Sequence, residues 1–149
     1  MGVDRLIRAH QENGFRPNSG NLYAELGSTW RFLMRDPDSA AHALGKLLKY
    51  VGDENVLWGT DSIWYGSPQD QIQGFRAFQI AKDVREEHGY PEITDELRAK
   101  IFGLNALKPY GIGIEEARMR ASNDLVDQRR ENYREARDPH HLTFGPKTR

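Results

Sequence analysis

The sequence predicts an α/β fold built on a parallel sheet, and three observations carry that reading. Two short segments, NLYAEL (Asn21 to Leu26) and NVLWGT (Asn55 to Thr60), have the length and composition of strands. Helical patterns alternate with them, which is the order of βα units. Both strands are mostly apolar, as parallel strands covered on two faces should be.

Each element can be justified from its own residues. Val3, Leu6, Ile7 and the stretch Ala9 to Gln11 give the last turns of an amphipathic helix. No N-cap signal precedes it, so the chain is expected to begin inside an element. RPNSGN (Arg16 to Asn21) is a loop of turn residues. In the first strand Leu22, Ala24 and Leu26 share one face, while Tyr23, Glu25 and Gly27 share the other. Pro37, Asp38 and Ser39 open a helix over Ala40 to Tyr50, with Ala43, Leu44, Leu47, Leu48 and Val51 as its apolar stripe. The second strand comes after Gly52 and Asp53. Ser67 as N-cap, Pro68 in the first turn and Asp70 at the third position start a helix reaching Glu87. Thr94 caps a short helix to Phe102, Gly103 interrupts, and Leu104 to Tyr110 adds a turn or two. Ile114 to Arg137 reads as one long charged helix with a narrow apolar stripe, and an irregular tail comes after it.

Composition excludes several classes of function. The 22 acids and 21 bases nearly cancel, which argues against a basic face for nucleic acid. The absence of cysteine removes disulfides, zinc knuckles and thiol nucleophiles, and fits a reducing, cytoplasmic setting. No apolar run approaches the roughly 20 residues of a membrane span.

Two parallel strands leave two open edges, whereas stable sheets normally have three strands or a close packing partner. A complete (β/α)₈ barrel takes roughly 250 residues. The 149 residues here are expected to be a fragment, a split gene product or one piece of an assembly. A partner chain or a second copy would then cover the sheet edges.

Asp61 lies just past the C-terminal end of the second strand, where the loops of α/β folds build active sites. A carboxylate there binds a divalent metal, takes a proton from water, or only begins a turn and caps a backbone amide. Gly59, one step below, leaves room for a ligand or another side chain.

VLWGTDSIW, then FRAF, then KIFGLNALKPYGI resemble the C-terminal part of the amidohydrolase-related family (amidohydrolase family 2). Its members are metal-dependent hydrolases and decarboxylases on a distorted (β/α)₈ TIM barrel. The resemblance rests on Gly59-Thr60-Asp61 at a strand end, with Ile101, Gly103, Asn105 and Ala106 downstream. NLYAELGS is similar to the family's preceding strand. The resemblance spans about Val3 to Ile112, so residues 1–112 are read as the C-terminal part of a barrel and 113–149 as a charged helix and tail. It implies that the two strands are barrel strands seven and eight. It further implies that Asp61 is catalytic, binding metal, zinc first among divalent ions, or acting as base toward the attacking water. The family's His-x-His pair belongs to strand one, which is absent from this sequence. Metal at Asp61 therefore needs ligands from missing strands, and the chain alone is expected to bind none and to be inactive.

The five histidines do not replace that pair, since none comes after a strand and none stands as His-x-His. His10 and His42 fall on helices, His88 in a turn, and His140 and His141 in the tail. Trp64 and Tyr65 come after Asp61 and either face a small-molecule substrate or pack as a lid. Ser28, Thr29 and Trp30 come after the first strand and are further candidates to line the pocket. Glu25 is expected in a structural salt bridge, and Asn105 on backbone at a helix junction. The competing reading is a non-catalytic interaction module that uses the long helix and the sheet edges.

Overall fold

The computed structural model describes residues 2–122 and 124–135. They fall into two compact units, divided between Tyr110 and Gly111. The first is mostly helical around a small two-stranded parallel sheet, compatible with a piece of an α/β fold.

Helix α1 (Gly2–Glu12) buries Ile7 and His10. Strand β1 (Ala24–Glu25) pairs in parallel with β2 (Val56–Leu57), Ala24 opposite Val56 and Glu25 opposite Leu57. The Ala24 amide donates to Asn55 O and the Leu26 amide to Leu57 O. The paired segment is thus shorter than the two six-residue strands the sequence predicts. The cause is the segment after β1, where Gly27 already begins a helix, α2 (Gly27–Leu33), which the sequence pattern does not announce. GSTWRFL has no strong helix former before Arg31; burial of Trp30, 1% exposed, holds the turn in place.

Helix α3 (Pro37–Tyr50) starts where proline at a first turn and an aspartate cap require it. Asp36 Oδ1 accepts the Ser39 amide at 3.2 Å. Its predicted stripe, Ala43, Leu44, Leu47, Leu48 and Val51, is buried throughout. After β2 come α4 (Ser62–Tyr65), α5 (Gln69–Ala77) and α6 (Lys82–His88). The single helix expected from Pro68 to Glu87 is therefore two. Phe78 is extended at φ −69°, ψ 136°, its carbonyl accepts Arg98 Nη2 at 2.9 Å, and Gln79 Nε2 donates to Ile93 O at 3.0 Å. Partners from a later segment hold this stretch in place of a helical turn, so tertiary contacts override the periodicity. The expected capping box is also shifted. Ser67 Oγ accepts the Gln69 amide at 3.3 Å, while Asp70 turns to Arg31 and to the Gln71 amide.

Thr94 caps α7 (Asp95–Ala99) through the Leu97 amide at 3.2 Å. The chain then passes without interruption through a π turn (Lys100–Leu104) into α8 (Asn105–Tyr110), so Gly103 does not break the run. Trp30, Phe75, Leu44, Val56, Ile80, Ile93 and Ile101 belong to the core. Aromatic contacts tie it together: the Trp58 ring stands 5.2 Å from Phe75 and 4.7 Å from Phe102. Full burial of a side chain such as Phe75 contributes roughly 1.5–3 kcal/mol.

In the second unit, α9 (Ile114–Ala121) and α10 (Leu125–Glu135) replace the single helix expected to Arg137, whose last two residues lie outside the described ones. The start of α10 is capped: Asp124 Oδ1 accepts the Asp127 amide at 2.7 Å. No residue of either helix is buried. No helix among the described residues is long and apolar enough to cross a membrane.

Candidate functional site

Because the strands are parallel, β1 and β2 deliver their next residues to the same end of the sheet. From β1 comes Glu25; from the extension of β2 come Gly59, Thr60 and Asp61. The Glu25 carboxylate lies over Gly59, where an added Cβ would coincide with Oε1. The space cleared by Gly59 is thus filled by a side chain from the neighbouring strand. Glu25 Oε1 accepts the Gly27 amide at 2.9 Å. Among the described residues Glu25 forms no salt bridge of the kind expected; it stands exposed beside the start of α2 and binds that amide instead.

Asp61 has left-handed backbone angles, φ 46° and ψ 35°, which cost a non-glycine residue about 1 kcal/mol or more. Aspartate tolerates this region better than most residues. Its carbonyl accepts the Trp64 amide at 2.9 Å. Its side chain crosses to α2, where Oδ2 accepts the Ser28 amide at 2.9 Å and the Ser28 hydroxyl at 2.6 Å. The point where a Gly27 Cβ would sit is 2.6 Å from Glu25 Oε2 and 2.9 Å from Asp61 Oδ2. Two carboxylates therefore stand side by side, each holding one of the first two amides of α2. Those amides have no partner inside the helix and carry its positive end, which offsets part of the repulsion between the acids.

Below the pair, Gln71 is fully buried and donates Nε2 to Thr60 O at 2.8 Å, while Trp30 Nε1 donates to Gln71 O at 2.9 Å. This node fixes the strand end that presents Asp61. Nothing in the sequence singles out Gln71, since a glutamine inside a helical stripe carries no signal of its backbone partner. Of the other candidates, Tyr65 is half-buried with its hydroxyl 3.1 Å from Ser28 Oγ and its ring against Phe32. Trp64 is 81% exposed and Thr29 is exposed. Trp30, read from the sequence as a pocket residue, is a core residue instead, turned inward by α2.

The histidines lie in other places. His10 is buried with Nε2 3.1 Å from Arg16 O, and His42 and His88 pack on each other and on Tyr90. His140 and His141 lie outside the described residues. Among the described residues, no group of three or more His, Cys, Asp or Glu side chains is arranged to hold a metal ion. A catalytic zinc takes three protein ligands, so the two carboxylates here do not by themselves fit one.

The other end of the sheet is closed by Asn105. Its Nδ2 donates to Asp53 O at 2.7 Å and to Val56 O at 2.8 Å, covering backbone of β2 and of the turn before it. Asn105 is thus on backbone, as expected. Beside it Asp53 accepts Lys100 Nζ at 2.6 Å and Asn18 Nδ2 at 2.8 Å. Burial pushes the Asp53 carboxyl up, but these bonds and the Lys100 charge outweigh it and hold it below the ordinary 3.8. The outer edge of β1 has no strand beside it among the described residues. It adjoins a groove of about 480 Å³ lined by Val3, Leu6, Ala24, Leu33 and Leu47.

This carboxylate-bearing strand end, with Asn105 downstream, falls inside the stretch matched by the family model described as Amidohydrolase, residues 19–112. The chain belongs to the amidohydrolase family. No curated protein and no solved structure matches it.

Proposed function

We propose that the chain supplies the last two strand–helix units of an amidohydrolase-type (β/α)₈ barrel, with β1 as strand seven and β2 as strand eight. In the complete enzyme Asp61 takes a proton from, or orients, the water that attacks a C–N or C–O bond of a small molecule. In a decarboxylating member it orients the substrate carboxylate. The observation that supports this is the place of Asp61: just beyond the C-terminal end of β2, inside the matched stretch, with its carboxylate held by α2. The histidine donors that a zinc ion requires come, in this reading, from a segment or partner chain that also continues the sheet along the outer edge of β1. The setting proposed is the cytoplasm.

The test has two arms. The purified chain, supplied with zinc, is expected to show no hydrolysis or decarboxylation; metal-dependent turnover by it alone would overturn the reading. In the complete enzyme, Asp61→Asn is expected to abolish turnover and leave assembly intact. Unchanged rates would remove Asp61 from the chemistry.

A further inference from the structure

We infer that Ser28 is the positioning residue for Asp61, dedicating one oxygen of the carboxylate to the protein and the other to the reaction. This rests on the reading of Asp61 as the reacting carboxylate. Both donors from Ser28, the amide at 2.9 Å and the hydroxyl at 2.6 Å, go to the same atom, Oδ2. An ionised carboxylate only accepts, so the single Ser28 hydroxyl proton points at Asp61. The Tyr65 hydroxyl, 3.1 Å from Ser28 Oγ, must then donate to it. The chain of donors runs in one direction, Tyr65 to Ser28 to Asp61. Each bond polarises the next, and the bond to the ionised acceptor is of the stronger kind.

The chemistry is constrained in two ways. With Oδ2 engaged twice, Oδ1 is the oxygen that receives a proton or faces the water. The amide and hydroxyl of one residue also fix the plane of the carboxylate, because they approach Oδ2 from two directions. Tyr65 acquires a role different from contact with substrate: it sets the hydroxyl rotor of Ser28. Gly27 is the reason the arrangement fits, since a Cβ there would press on Asp61 Oδ2 at 2.9 Å.

The experiment compares Ser28→Thr with Ser28→Val, two β-branched residues of one shape with and without the hydroxyl. Steady-state kinetics are measured in the complete hydrolase, with Asp61→Asn alongside. Val is expected to lower kcat about 10- to 100-fold with KM nearly unchanged, and Thr to restore it to within about threefold. If Val keeps the wild-type kcat while Asp61→Asn is inactive, the positioning role falls and the reading of Asp61 stands. If Asp61→Asn is itself active, both fall. A second measurement uses the chain by itself and needs no activity. The Ser28 amide proton, bonded to a carboxylate, is expected downfield in the NMR spectrum and to move upfield in Asp61→Asn. A Ser28 amide that does not respond to Asp61→Asn would overturn the proposal even if the Val variant failed to fold.

Discussion

The two ends of the small sheet use polar residues in opposite ways. At the end where the strands begin, polar groups are bonded inward and close the structure. Asn105 covers two carbonyls, Asp53 is shared between Lys100 and Asn18, and Asn55 Nδ2 donates to Leu22 O at 2.9 Å. At the end where the strands finish, two exposed carboxylates are set side by side, and one of them, Asp61, sits on a strained backbone. The first arrangement gains stability from these bonds, those of Asn105 to two backbone carbonyls above all. The second gives some up, through the left-handed backbone of Asp61. The motif residues divide along the same line: Asn105 closes the fold, and Asp61 stands at the open end, where the proposed site lies.

That division is most open to challenge at Asn105, which is 6% exposed. Asn105→Ala leaves the Asp53 and Val56 carbonyls without this donor, and each buried orphan costs about 1–3 kcal/mol. Urea denaturation is expected to show the largest loss of the set, about 2–4 kcal/mol. A loss under about 0.5 kcal/mol, the size of an ordinary surface change, would deny Asn105 its closing role.

Next in size is Gly59→Ala at the opposite end. The new Cβ takes the place of Glu25 Oε1, so the carboxylate must leave. Glu25 is a flexible, exposed side chain, and the expected cost is about 1 kcal/mol, at the low end for added bulk. The informative readout is the Gly27 amide, which loses its acceptor and should exchange faster with solvent. Unaltered exchange would show that Glu25 does not hold the Gly27 amide.

These two ends were unequally legible in the sequence, for physical reasons. Helix α3 was legible because Pro37 and a stripe of five apolar residues are local signals. Asp61 was legible because a glycine and then an acid end an apolar run. The break between α5 and α6 was not, since Phe78 and Ile80 continue the helical period and only the contacts of Arg98 and Gln79 reveal the extended backbone. The partner of Gly59 was hidden for a similar reason. Glu25 reaches it across the sheet, and no spacing along the chain encodes that contact.

A smaller, pH-dependent effect separates the two ends further, at Asp53. Its carboxyl is held below 3.8 when folded, so the contribution to stability is present above that value and is lost as pH falls through the folded pKa. Lys100→Met removes the largest lowering partner and leaves burial to push the carboxyl up. The variant is expected to be less stable than the parent by about 0.5–1 kcal/mol near neutrality, the pair being partly exposed. In strong acid, where Asp53 is protonated in both proteins, the gap should close. A gap that stays constant from neutral pH into strong acid would assign the loss to packing of the lysine stem.

The smallest effect on the fold belongs to Trp64. With 81% of its surface exposed, its side chain has almost no burial to lose, so Trp64→Ala is expected to change stability by less than about 0.5 kcal/mol. A single exposed apolar ring is ordinary on a protein surface, so the exposure of Trp64 in α4 assigns it no role by itself. If it faces substrate or a covering segment in the complete enzyme, the same variant should raise KM or weaken assembly while the chain by itself melts unchanged. Equal behaviour in both settings would make Trp64 a bystander and confine the site to Asp61, Ser28 and Tyr65. A marked loss of stability in the chain by itself would instead move Trp64 to the structural side of the division.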